Sequence, residues 1–183
     1  MSAELDRLFE PAALAARAWR LQAESPLQEW ERLASLDGRA AKDRAAATAG
    51  RNVSIDVQVR EDANGVPVLE GELGATLRCV CQRCLEEMPF ELRVRPKLFF
   101  GREDQLGEAA TAAGFEHCEL APGVTLRQLL EDEALLSVPA FPVHERSEDC
   151  GALAKKLAAL EPAAGGTSSS SPFAVLAELK RRN

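Results

Sequence analysis

The sequence predicts an α+β fold: an antiparallel β-meander or partial barrel packed with helices, followed by a flexible C-terminal tail. Three observations carry that expectation. Val53, Ile55, Val57 and Val59 alternate with polar residues, and two more extended runs, 66–79 and 90–98, follow across turn signals. Two helix-start signatures, Ser25-Pro26-Leu27-Gln28 and Thr125-Leu126-Arg127-Gln128, flank those runs. Residues 161–172 hold Gly165, Gly166, Thr167 and four serines, the composition of a linker. The expected organisation is a helical segment over 1–50, a core domain over 51–160, and a linker with a short helix over 161–183.

Taken in order, residues 4–22 read as a helix, because Leu5, Leu8, Phe9, Leu14, Ala15, Ala18 and Trp19 recur at helical spacing; Pro11 breaks it or opens a second helix. A second helix runs from the Ser25 start to about Gly38, and residues 39–50 form a connector or short helix. The Asn64-Gly65 pair tolerates the positive φ of a tight turn and joins the first two strands. Gly71 and Gly74 suggest a bulge in the second strand. The cysteine-bearing turn at 81–84 leads to the third strand, in which Arg93, Arg95 and Lys97 share one face. Residues 101–122 lack a period and read as a long loop.

The helix opening at Thr125 places Leu126, Leu129, Leu130, Ala134 and Leu136 on one face, with Glu133 among them and Glu131 and Asp132 to the sides. An acid on an apolar face either pairs with a donor inside the protein or serves a partner, since unpaired burial is costly. Pro139-Ala140-Phe141-Pro142 cannot continue a helix. Short helices are expected at 151–160 and at 173–180.

Composition narrows the function. The chain of 183 residues carries a net charge of −7, which argues against a dedicated phosphate-binding surface. Residues 103–150 hold 11 Asp and Glu against only Arg127 and Arg146, whereas the last residues run Lys180-Arg181-Arg182. That asymmetry suits a protein that meets a basic surface with one side; the plain alternative is an acidic, solubilising loop. No apolar run approaches the roughly 18 residues of a membrane span, and residues 1–7 do not resemble a secretory signal. Five cysteines at uneven spacing fit reduced thiols in a cytoplasmic protein.

The pair Cys81-x-x-Cys84 is the most chemical feature. A tight turn aims both sulfurs at one point, which is half of a tetrahedral metal site. Cys150 and His144 are the best remaining ligands, with Cys118 an alternative, and a Cys3His donor set suits Zn2+. Plain thiols at a turn and a redox dithiol are the competing readings; the latter lacks a following helix to stabilise a thiolate. The stripe of Arg93, Arg95 and Lys97, with Arg83 nearby, has the chemistry to touch RNA phosphates, or simply to keep an exposed strand face solvated and non-aggregating. Glu131, Asp132 and Glu133 are candidate contacts for a basic partner. Phosphate loops and the motifs of metalloproteases and α/β-hydrolases are absent from the sequence. An enzyme, whether a Mg2+-dependent nuclease at Glu131–Glu133 or a thiol oxidoreductase at Cys81–Cys84, is the rival expectation. No small-molecule substrate is expected.

Three collinear blocks, CQRCLEEMPF at 81–90, LLEDEALLSVPAFPVHERSEDC at 129–150 and PFAVLAELKRR at 172–182, resemble the bacterial YceD family of large ribosomal RNA subunit accumulation proteins. The resemblance covers Cys81, Cys84, Glu131, Asp132, Glu133, Pro139, Pro142, His144 and Cys150, while Cys79 and the Ala-rich loop look peculiar to this chain. It implies a cytoplasmic, non-enzymatic factor for synthesis, processing or stability of large-subunit ribosomal RNA. Its expected partners are a basic ribosomal protein or an RNA-processing factor, with ribosomal RNA itself as a further candidate.

Overall fold

The computed structural model describes residues 2–36 and 49–152, together with 156 and 159. The expectations for 39–48 and for the tail at 161–183 lie outside the described residues. Two compact units divide the chain, Met1–Val143 and His144–Asn183.

The first unit is built on a six-stranded, mostly antiparallel sheet that does not close. Its strands are β1 (Trp19–Pro26), β2 (Asn52–Glu61), β3 (Pro67–Val80), β4 (Glu87–Val94), β5 (Lys97–Phe99) and β6 (Glu116–His117), in the order β1-β2-β3-β5-β6 with β4 also on β3. The fold is α+β, as the sequence predicts. Strands β2 (Asn52–Glu61) and β3 (Pro67–Val80) are the expected hairpin, joined by the turn in which Gly65 has φ +76°. Val53, Ile55, Val57 and Val59 are at most 3% exposed. They face Leu69, Leu73, Ala75, Leu77 and Cys79 of β3 in one continuous core. The period-2 pattern therefore reports the buried face faithfully.

The N-terminus differs from expectation. In place of one helix over 4–22 there are two short ones, α1 (Ser2–Leu5) and α2 (Pro11–Ala15), and then an edge strand, β1 (Trp19–Pro26), antiparallel to β2. Pro11 opens α2 in the first turn, where its missing N–H costs nothing. Ala18, at φ 45°, turns the chain into the strand. From there Arg20, Gln22 and Glu24 point to solvent while Leu21 and Ser25 are buried, an alternation obscured by the Ala-rich stretch before it. The second helical signature also shifts by half a turn and more. A 3-10 turn at Leu27–Glu29 precedes α3 (Glu31–Leu36), and the Ser25 hydroxyl bonds to Glu29 instead of capping a helix.

Beyond the cysteine turn, β4 (Glu87–Val94) and β5 (Lys97–Phe99) both pair with β3. They are one strand interrupted at Pro96, which has no N–H to give the ladder. No bulge occurs at Gly71, because β2 and β3 stay in register from Val53–Ala75 to Glu61–Pro67. Gly71 is instead a close approach: a Cβ there would fall 2.2 Å from the Asp56 carbonyl oxygen. The stretch 101–122 is not a plain loop. It holds a 3-10 turn, a short helix α4 (Glu108–Ala112) and β6 (Glu116–His117), parallel to β5. Leu106 and Phe115 pack on Val66, Val68 and Phe99 in a small second core. A two-residue strand has no period to read in a sequence.

The last helix, α5 (Leu126–Ser137), starts with the expected capping box: Thr125 Oγ1 accepts from Gln128 N–H, and the Gln128 side chain accepts from Thr125 N–H. Leu126, Leu129, Leu130 and Ala134 enter the core with Leu5, Leu27, Trp30 and Leu33 from the N-terminal elements. Each of these leucines contributes about 1.5–3 kcal/mol on burial. Leu136, assigned by the wheel to the apolar face, is 82% exposed. Among the described residues, no helix is long and apolar enough to cross a membrane.

Candidate metal centre and acidic cleft

The turn that ends β3 is tightly tied. Cys81 N–H donates to the Glu86 carbonyl, Leu85 N–H donates to the Cys81 carbonyl, and Leu85 takes φ 63°. Arg83 N–H lies 3.4 Å from Cys81 Sγ, the amide-to-sulfur contact that stabilises negative charge on a sulfur. Gln82 N–H donates to the Pro142 carbonyl, so the tip of the turn is bonded to the segment after α5. Cys81 is fully buried; Cys84 is half-buried. In the second unit, a 3-10 turn over Ser147–Cys150 holds Cys150, whose sulfur lies 3.6 Å from His144 Nδ1.

The ligand atoms of Cys81, Cys84, His144 and Cys150 all lie within 4.8 Å of one another, a cluster able to hold a metal ion. No disulfide joins any of the five cysteines. Cys79 faces the core. Cys118, the alternative ligand, is not in the cluster. It packs partly against the core, and burial, then Glu133 and Asp132, push its thiol pKa up, which disfavours the thiolate that a metal needs.

The acids of α5 separate into three situations. Glu131, and not Glu133, is the deeply buried one, at 5% exposure. One carboxylate oxygen accepts from the backbone N–H groups of Arg32 (2.9 Å) and Leu33 (3.0 Å), and the other accepts from Arg32 Nε. It is a cap on the N-terminus of α3 supplied from 99 residues away. Asp132 is exposed and pairs with the Arg32 guanidinium. Glu133 is half-buried; burial, then Glu116 and Asp132, hold its carboxyl above the usual range. With Glu131 engaged on both oxygens, the three acids do not converge on one cation.

The raised Glu133 pKa has a definite sign. The folded state binds the proton more tightly than the unfolded one, so stability falls as pH rises from the ordinary carboxyl range through the folded value. Glu133→Gln is expected to remove that slope and raise Tm at neutral pH by about 1–2 °C. Thermal melts of both proteins across pH 4 to 8 check this, and a variant with an unchanged slope refutes it.

Beside Glu131 lies a residue that sequence reasoning passed over. Arg127 is only 8% exposed. It donates to Asp6 Oδ1 (2.7 Å), Glu29 Oε2 (2.9 Å) and Ser25 Oγ (2.9 Å), and lies over the Trp30 ring. The first of these bonds draws the Asp6 pKa down. The only hint in the sequence is an Arg on the flank of an apolar helix face. These pairs form the wall of a cleft of about 950 Å³ that Asp6, Glu29, Glu31, Glu131 and Asp132 line, together with Arg32 and Arg127. Five carboxylates face two guanidiniums, and both guanidiniums are bonded internally.

The candidate RNA-contacting cations lie elsewhere. Arg93, Arg95 and Lys97 alternate outward on the exposed face of the sheet, and Arg83 is exposed in the cysteine turn. Arg95 lies 3.6 Å from Glu72, and Lys97 donates to the Ala113 carbonyl beside the Phe115 ring. The same sheet face carries the Arg20–Asp56 and Arg60–Glu70 pairs, so its charge is largely matched.

The described residues thus form an open α+β sheet that carries a thiol–imidazole cluster and a cleft lined by five carboxylates. The model of the family described as large ribosomal RNA subunit accumulation protein YceD matches residues 69–180, most of the chain. The chain belongs to that family, and with it to proteins that act in accumulation of large-subunit ribosomal RNA. No solved structure matches the chain.

Proposed function

We propose that this chain is a non-enzymatic, cytoplasmic assembly factor for the large ribosomal subunit, acting as a scaffold for a basic ribosomal protein or RNA-processing factor. The observation that carries the reading is the cleft: five carboxylates around cations that are already bonded inside the protein leave a negative surface for Lys and Arg side chains. Glu131 serves it by fixing α3, and Asp132 and Glu31 by facing the partner. The Cys3His cluster takes one zinc ion, held by Cys81, Cys84, His144 and Cys150. Zinc is the metal that three thiolates and an imidazole favour, and two sulfurs on a tetrahedral zinc stand about 3.8 Å apart, within the observed spread.

Cells lacking the protein are expected to show a reduced ratio of large- to small-subunit ribosomal RNA. Wild type restores it, and a Glu31→Lys, Asp132→Lys double variant of unchanged Tm does not. Full rescue by the charge-reversed variant would remove the cleft from the function. A direct RNA contact at Arg83, Arg93, Arg95 and Lys97 is the second reading, favoured by the outward alternation of the last three. Its signature is RNA binding whose salt slope falls by about one for each Arg replaced.

A further inference from the structure

The scaffold reading leaves a second surface of the first unit without a role. An apolar groove of about 320 Å³ runs between Leu36 of α3, the end of β3, and Leu135, Val138 and Pro139 at the end of α5. Leu136 and Phe141, next in the chain to the lining residues Leu135, Ala140 and Pro142, are 82% and 77% exposed. The groove and the acidic cleft are successive parts of one seam. On α5, Gln128 and Asp132 line the cleft while Leu135 and Val138 line the groove, and these four follow each other at intervals of three and four residues on one helix face. On α3, Glu31 and Arg32 line the cleft and Leu36, one turn on, lines the groove.

We infer that the α3–α5 seam is a docking site for an amphipathic helical segment of a basic protein, whose apolar side chains fill the groove while its Lys or Arg side chains reach the cleft. Charge complementarity and continuity of the two depressions choose this occupant: RNA would be repelled by the carboxylates, and an acidic helix would meet like charge. The six residues from Asp132 to Val138 rise about 9 Å along α5. The partner's cation and its apolar anchor are therefore separated by about two turns of helix, roughly seven residues, which places them on one face. The inference rests on the basic-partner reading and adds to it the apolar anchor and the spacing.

The test uses full-length protein and a fluorescein-labelled 18-residue helical peptide with Leu at positions 4, 8 and 11 and Lys or Arg at 14, 15 and 18. Anisotropy is expected to show micromolar binding that weakens at least tenfold with Ala140→Glu, at an exposed position on the groove wall. Glu31→Lys weakens it several-fold and flattens its salt dependence. A peptide with Glu in place of its basic residues fails to bind. No binding, equal binding of a scrambled peptide, competition by a single-stranded RNA, or indifference to Ala140→Glu each overturns the inference. Sensitivity to Glu31→Lys with indifference to Ala140→Glu overturns the apolar anchor while the acidic-cleft reading stands.

Discussion

Replacing Cys84 with Ser is expected to lower zinc content from about one ion per chain to near zero and to lower Tm by about 10 °C in zinc-replete buffer. A site that binds only the folded protein stabilises it by about 4 kcal/mol when free zinc stands at a thousand times Kd. For a chain of this size that is a shift of roughly 2–4 °C per kcal/mol. Apparent binding energies of structural zinc sites, about 10–16 kcal/mol in peptides, leave ample room for such a term. A strong chelator should take wild type to the Tm of the variant and leave the variant where it is. Cys118→Ser, outside the cluster, should keep its zinc. Ligand thiols and imidazole must lose protons to bind, so zinc affinity should fall as the buffer is acidified. Wild-type protein that carries no zinc, or a Cys84 variant that keeps it, would end the proposal.

The parts of this protein that the sequence displays are those with a period or a local motif. The Val53–Val59 alternation, the Asn64-Gly65 turn and the Thr125–Gln128 capping box each express physics within a few residues, and each recurs in the structure. The parts it hides depend on distance along the chain. Strand β1 is a strand because β2 offers it a ladder, and its own Ala-rich approach reads as helix. Strand β6 exists because β5 pairs with two of its residues and Phe115 finds Phe99. The cysteine pair was legible, and the structure brings Cys81, Cys84, His144 and Cys150 together. The cleft was half legible: its acids on α5 stood out, but Asp6 and Glu29 enter through Arg127, more than 90 residues away from either. A helix wheel ranks positions by hydrophobicity, and so it could not tell that the acid admitted to the interior would be the one facing a helix end.

Glu131→Ala is expected to cost about 3 kcal/mol, the largest loss from any single surface-accessible or buried acid on α5. Its carboxylate accepts from two amides at the start of α3, Arg32 N–H and Leu33 N–H, and it also holds Arg32 Nε. Removing it leaves buried donors without a partner, at about 1–3 kcal/mol each before relaxation and water entry. It also deletes an anion at the positive end of a helix. Glu131→Gln keeps an oxygen for the amides and loses the charge, so about 1–1.5 kcal/mol is expected. Asp132→Ala removes only a solvent-exposed pair with Arg32 and should stay within about 0.5 kcal/mol of wild type. Urea unfolding of the three variants gives the ranking, and hydrogen exchange at Leu33 locates the loss. If Glu131→Ala and Asp132→Ala prove equal, the long-range cap is not what fixes α3. The seam would then lack a rigid wall, because α3 has six residues and little stability of its own. The helix that the cap secures carries Glu31 on the cleft and Leu36 on the groove, so a local stability measurement at Glu131 also tests whether both binding surfaces are preformed.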